Sequence, residues 1–182
     1  DRARETASAA IDRFWNGDSG GFVFCNPCPA VSERFLDGFR PGELNLYMAE
    51  NLDRLYFLTD EEEFRDRAAQ TLELVSNRNI AFSLAAYRHE KKPLKVAVVG
   101  SRNDPATEEL RRAARRFFEP NKVVMVLDPE EDAERLAELP YSERPEPTLY
   151  ACVKTACSMP VSDPGEVESM LGNFTGRYQY EG

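Results

Sequence analysis

Three short apolar runs, each followed by an Asp-Pro step and a helix-length segment, constrain this chain more than any other feature. Leu-Lys-Val-Ala-Val-Val-Gly at 94–100 leads through Asp104-Pro105 into an amphipathic segment. Lys-Val-Val-Met-Val-Leu at 122–127 leads through Asp128-Pro129 into another. Thr-Leu-Tyr-Ala-Cys-Val at 148–153 continues to Pro160-Val161, Asp163-Pro164 and a last short helical pattern. Runs rich in β-branched residues, separated by helix-length segments, read as β-α-β units. The clearest helix is Pro105–Phe118, where Leu110, Ala113, Ala114, Phe117 and Phe118 form one apolar stripe. Asp104 caps it, and Pro105 at the first helical position lacks only an N–H that would be unpaired anyway. Asp128-Pro129 with Glu131, and Asp163-Pro164 with Glu166, repeat that start. Leu139 to Pro147 reads as a polar, proline-rich loop, and the tail after Leu171 shows no periodic pattern.

The order from Leu94 is therefore β-α-β-α-β, a further short β at Cys157–Val161, and α. Cys152–Val161 is too short for a crossover helix, so the last two strands pair as an antiparallel hairpin. This order resembles the thioredoxin-like one, and Pro147 stands where that fold places its cis-proline. A doubly wound α/β fragment is the competing reading. In the thioredoxin-like arrangement the loop Gly100-Ser101-Arg102-Asn103 occupies the position of the redox cysteine pair. It contains no Cys, so a redox-inactive domain is expected. The loop has no G-x-G-x-x-G and no G-K-[ST], which disfavours a nucleotide.

Upstream the pattern is helical. Ala3–Trp15 carries Ala7, Ala10, Ile11, Phe14 and Trp15 at helical spacing, and the glycines at 17, 20 and 21 end it. A second helix over Gly42–Leu58 places Leu44, Tyr47, Met48, Leu52 and Leu55 on its stripe. Thr59 with Glu62 reads as a capping box opening a third helix, Asp60–Ser76, with Phe64, Ala68, Leu72 and Val75 on one face. A fourth covers Ile80–His89 through Ile80, Leu84 and Tyr87. Short links make these helices antiparallel. The expected organisation is α plus α/β: antiparallel helical hairpins over 1–92, a small thioredoxin-like or doubly wound α/β domain over 93–171, and a tail over 172–182.

The net charge of -9 over 182 residues disfavours nucleic acid or an anionic membrane as partner. No apolar run approaches the roughly 20 residues that span a bilayer. Four cysteines do not make a disulfide scaffold, so a cytoplasmic setting is the default. The chain opens in mid-helix without Met, which suggests a piece of a longer protein.

Few residues suggest chemistry. Cys25-x-x-Cys28 precedes another proline and lies in the helical half, the wrong context for a thioredoxin site. With Cys152 and Cys157 it could make a four-cysteine zinc site, but nothing drives the loop toward the hairpin. The expectation is two separate pairs of unlinked thiols, no metal and no cofactor. Asp37 and Glu43 flank Pro41-Gly42 before a helix, where two carboxylates could do acid–base work on a glycosidic bond. An ordinary acidic bias at a helix start explains them as well. Arg111, Arg112, Arg115 and Arg116, with Glu108 three and four residues before the first two, read as a solvated face. His89 is the single histidine, in the last turn of its helix, which excludes a His-rich metal site.

Several blocks together resemble one known family. They are Leu55-x-x-Leu58-Thr59-Asp60 with Phe64 and Ala68, then Val96-Ala97-Val98-Val99-Gly100, then Asn121-Lys122-Val123-Val124. The most specific block follows: Pro147-Thr148-x-Tyr150-x-Cys152, Cys157, Pro160-Val161 and Asp163-Pro164. From Asp37 to Leu171 this order is similar to the C-terminal part of the spermatogenesis-associated, thioredoxin-domain-containing family. The resemblance implies a parent with an N-terminal thioredoxin-like domain and an α/α toroid similar to six-hairpin glycosidases and sugar epimerases. It implies the remainder of that parent as partner, and a structural or interaction role for this piece. The alternatives are part of a carbohydrate-active enzyme, or a structural zinc module. The family has Asp, then Pro-Ser-Gly-Asn, before its inner helix. Here Asp37 and Pro41 stand, Gly42-Glu43-Leu44-Asn45 follows, and Asn45 is displaced by one. The resemblance thus adds Asn45 to the weak catalytic candidates.

Overall fold

A computed structural model describes residues 2–17, 20–23, 42–75, 79–91, 93–141 and 144–178. Cys25, Cys28, Asp37 and Pro41 lie outside the described residues. The chain divides into two compact units, Asp1–Glu90 and Lys91–Gly182. Seven helices and one four-stranded mixed sheet are described, so the chain is mixed α and β.

In the first unit, α1 (Arg2–Phe14) buries Ala7 and Ile11, with Ala10, Phe14 and Trp15 packed beside them. The chain then turns back, and Trp15 pairs with Phe22 in an antiparallel bridge. The turn needs Gly21: its φ is +75°, and a Cβ there would lie 2.5 Å from Leu74 Cδ1. Next, α2 spans Gly42–Thr59, α3 Glu62–Leu74 and α4 Ile80–Glu90. The face expected for α3 holds, since Phe64, Ala68, Leu72 and Val75 are all buried.

Three expectations for these helices fail. Leu44 and Tyr47 are 52% and 57% exposed, while α2 buries Asn45, Leu46, Ala49, Leu52, Asp53, Leu55 and Phe57. That helix carries apolar residues on more than one face, so spacing alone could not choose the phase. On α4, Ile80 is 88% exposed, and the buried residue is Ala85. The capping box at Thr59 does not form. Thr59 ends α2 with its hydroxyl donating to Leu55 O, and Asp60 adopts φ 58° while its N–H bonds Tyr56 O. An Asp in the left-handed region is a helix exit, so Thr59-Asp60 closes α2 instead of opening α3.

The second unit follows the predicted element order. β1 is Leu94–Val99, α5 Pro105–Arg116, β2 Lys122–Leu127, α6 Ala133–Glu138, β3 Thr148–Val153, β4 Ala156–Cys157 and α7 Val167–Tyr178. The sheet order is β2-β1-β3-β4: β1 runs parallel to β2 and antiparallel to β3, which is antiparallel to β4. One face of the sheet packs on α5 and α7 through Val96, Val98, Leu110, Ala114, Leu149, Val167 and Leu171. The other face gathers Ala97, Val99, Leu127, Tyr141, Tyr150 and Cys152, with Leu136 of α6 against them. Both faces are covered, so β1 and β3 read as nearly continuous apolar runs.

Asp104 caps α5 as expected, accepting from Ala106 N–H at 2.9 Å with Pro105 behind it. At the other end Lys122 Nζ donates to Ala114 O (2.6 Å) and Phe117 O, satisfying carbonyls the helix leaves open. The helix stops at Arg116, so Phe118, expected on the stripe, is 86% exposed. The two later Asp-Pro steps do not open helices directly. Asp128 and Asp163 accept from the N–H two residues on, at Glu130 and Gly165, and the helices begin at Ala133 and Val167. These are Asx turns, the alternative that a short carboxylate side chain offers the backbone. The expected aperiodic tail is also corrected: α7 continues through it to Tyr178, burying Phe174 and Thr175.

Candidate functional site

In an open α/β sheet, ligands sit where the loops leave the C-terminal ends of adjacent strands. Here that place lies between the β1–α5 loop and the β2–α6 loop, with Pro147 opposite. It is filled by the chain itself. The buried Asp128 carboxylate accepts from Arg102 N–H at 2.8 Å and Glu130 N–H at 3.0 Å. Those N–H groups, Arg102's first, hold the Asp128 carboxyl below its ordinary range. The Arg102 guanidinium bonds Glu131 at 2.8 Å and also Asp132, whose other contact is Asp128 N–H at 2.9 Å. Gly100 closes the crevice. A Cβ at that position would meet Thr107 Oγ1 at 2.5 Å and Pro147 Cβ at 2.9 Å. Arg102 thus serves to tie one loop to the other, and its surroundings are anionic.

The sequence candidates fall elsewhere. Glu43 is exposed in the first turn of α2. Asn45 is buried and clamps the returning chain: Phe22 N–H donates to Asn45 Oδ1 (2.7 Å), and Asn45 Nδ2 donates to Phe22 O (2.9 Å). This amide replaces a strand partner for Phe22. Asp37 lies outside the described residues, so its relation to Glu43 is not part of the geometry. The Cys152 and Cys157 thiols, expected to be free, are joined in a disulfide. They are register partners across β3 and β4 with Cα atoms 4.1 Å apart, the close spacing of a non-hydrogen-bonded antiparallel pair. In this form neither sulfur is available to a metal. Among the described residues no three His, Cys, Asp or Glu side chains converge as metal ligands would.

Sequence reasoning missed one polar cluster. Asp53 of α2 is 1% exposed, and its Oδ1 lies 3.0 Å from His89 Nδ1 on α4. One turn earlier on α2, Glu50 accepts from Arg88 at 2.8 Å. Asp53 Oδ2 is buried without a hydrogen-bond partner among the described residues. The signal was present: Asp53 follows Leu52 on the phase that Ala49 buries. Leu44 and Tyr47, apolar yet exposed, mask that phase in the sequence.

The described fold defines a chain of one helical unit and one α/β unit built on a four-stranded mixed sheet. No family model and no solved structure matches it. Its sequence is similar to human spermatogenesis-associated protein 20, 27% identical over 176 residues, which cover 87% of this chain and 22% of that protein. An uncharacterised protein of Caenorhabditis elegans is 29% identical over 174 residues, 89% of this chain and 24% of the relative. The rat spermatogenesis-associated protein 20 is 27% identical over 176 residues, with 87% and 22% covered. The resemblance read from the motifs is borne out, and the chain spans under a quarter of the length of these relatives. No helix among the described residues is long and apolar enough to cross a membrane.

Proposed function

We propose that this chain is the C-terminal part of a larger protein in which it serves as a structural and interaction module. Its helical unit would be one segment of an α/α toroid, and its α/β unit a thioredoxin-like domain without dithiol chemistry at the usual loop. The carrying observation is the outer face of the helical unit. Leu44 and Tyr47 on α2, and Ile80 and Leu84 on α4, are 52%, 57%, 88% and 37% exposed. Large apolar side chains left exposed on two helices that pack against each other favour a further element that covers them. The relatives are four to five times longer than the part they share with this chain, which supports the remainder of the parent as the covering element. For the α/β unit the support is topological. A β2-β1-β3-β4 order with β3 antiparallel to its neighbours is the thioredoxin-like arrangement, and Pro147 packs on Gly100, the residue that opens the β1–α5 loop. A cytoplasmic setting belongs to the same proposal, and there the Cys152–Cys157 pair would meet reducing thiols.

The test is co-expression of residues 1–182 with the upstream part of the parent open reading frame as a separate chain. The two are expected to co-purify in equal amounts. Leu44→Ser with Tyr47→Ser and Ile80→Ser should abolish association and leave the melting temperature of the isolated chain within about five degrees, because exposed substitutions cost little stability. Association that survives the triple substitution would remove the outer face from the argument.

A further inference from the structure

The geometry points to a thiol–disulfide exchange site on the β3–β4 hairpin, formed by Cys152, Cys157 and Lys95, whose substrate is a dithiol. It is separate from the β1–α5 loop, and it stands whether or not the chain is part of a toroid.

Three features make the pair an exchange site. First, its two sulfurs are unequal. Cys152 is 4% exposed in the sheet, whereas Cys157 is exposed on β4, the edge strand. An attacking thiolate therefore reaches Cys157 and expels Cys152. Second, the residue that leaves has a lysine as its cross-strand partner. Lys95 of β1 is the register partner of Cys152, so Lys95, Cys152 and Cys157 form one row on the same face across three strands. Directly opposed residues on antiparallel strands have Cβ atoms about 4.5–5.5 Å apart, within reach of a Lys side chain. An ammonium near Cys152 favours its thiolate, and a leaving thiol of lower pKa departs faster. Third, the fold retains Cys152 after cleavage. Tyr150, Tyr141 and Ala97 share its face, so the freed sulfur stays beside Cys157 for reclosure.

The exchange balances in two steps. The first thiolate of the dithiol bonds to Cys157 Sγ, the Cys157–Cys152 bond breaks, and Cys152 leaves as a thiolate. The second thiol of the dithiol, as thiolate, attacks its own sulfur in the mixed disulfide. Cys157 leaves as a thiolate, and the dithiol becomes a disulfide. Two electrons pass to the protein, and the two cysteine thiolates take the two protons that the dithiol gives up.

The experiment uses the full chain carrying Cys25→Ser and Cys28→Ser, purified in air, so that only one pair reports. Glutathione is added as a monothiol probe, the reaction is quenched with iodoacetamide, and the adducts are mapped by mass spectrometry. The glutathione adduct is expected on Cys157 and the alkyl group on Cys152. Reduction by dithiothreitol is then timed. Lys95→Met is expected to slow it by about fivefold, as loss of a neighbouring cation that shifts a pKa by roughly one unit or more would do, and Lys95→Arg to restore most of the rate. The proposal fails if the adduct forms on Cys152 or equally on both. It fails if Lys95→Met leaves the rate unchanged, if reduction requires denaturant, or if the air-purified chain holds two free thiols.

Discussion

In residues 1–90 the described helices bury one face of each apolar pattern and leave Leu44, Tyr47 and Ile80 outside. In residues 91–182 the sheet covers nearly everything apolar, and among the described residues the large exposed apolar side chains are Phe118, just past a helix end, and Met159, just past the edge strand. The difference follows from geometry. A strand sandwiched between layers has two faces and buries both, so its sequence is nearly continuously apolar. A helix offers a full circle of directions, and its buried sector depends on neighbours that its own sequence does not name. The α/β unit therefore satisfies itself locally, whereas the helical unit carries apolar surface beyond its own needs.

The largest test of this contrast sets Leu149→Ala against Tyr47→Ser. Leu149 is fully buried in the α5–α7 core, and its truncation should cost about 2–5 kcal/mol, a lost transfer term plus a cavity. Tyr47→Ser on the outer face of α2 should stay within about 0.5 kcal/mol. Urea unfolding of each variant checks both. A Tyr47→Ser loss comparable to that of Leu149→Ala would show that the outer face of α2 is already covered in this chain.

Next in size is Asn45→Ala. It leaves Phe22 N–H and O, both buried, without the partners they have at 2.7 and 2.9 Å. A buried donor or acceptor left unpaired costs roughly 1–3 kcal/mol, so a loss of about 2 kcal/mol is expected by urea titration. Asn45→Asp should cost no less, because a carboxylate keeps the bond from Phe22 N–H but faces Phe22 O with a second acceptor. A neutral Asn45→Ala would show that Asn45 is not needed to hold Phe22, and would leave open its place among the catalytic candidates that the family resemblance supplied.

The same contrast explains what could be read from the residues. The bounds of β2 and β3 follow directly from β-branched runs, and the Asp104-Pro105 start of α5 from its cap. The strand count and hairpin follow from segment lengths. What could not be read depends on distant partners or on competing local bonds. Leu44 and Leu46 are equally apolar, and only packing against the rest of the helical unit decides which is buried. Asp128-Pro129 and Asp104-Pro105 look alike in sequence, but the Asp128 side chain bonds backbone N–H groups from two loops, so α6 starts later. Of the site, the proximity of Cys152 and Cys157 was legible from hairpin length. Their bond was not, because a cytoplasmic default argues for thiols. The Lys95–Cys152 neighbourhood depends on the β1–β3 register, which no local pattern encodes.

The smallest expected effect lies on the outer face of α5 and tests whether the α/β unit gains anything from exposed charge. Glu108 Oε2 is 2.5 Å from Arg111 Nε, and Glu108 Oε1 is 2.8 Å from Arg112 Nε. The Arg111 bond, with Arg112 beside it, pulls the Glu108 carboxyl from 4.5 down to about 2. The folded state therefore holds the carboxylate more tightly than the unfolded state does. The contribution is fully present above about 4.5 and is lost as the pH falls through about 2. Glu108→Gln should then be less stable than the parent chain at pH 7, with the gap closing progressively between those two values. The pair is solvent-accessible, so the gap should be small and should shrink further in 0.5 M salt, where the Debye length falls from about 10 Å at 0.1 M to roughly 4 Å. Thermal melts of both proteins across that pH range, at low and high salt, measure it. A gap that persists unchanged at pH 2 would assign the effect to helix propensity or packing at position 108 and not to the ion pair.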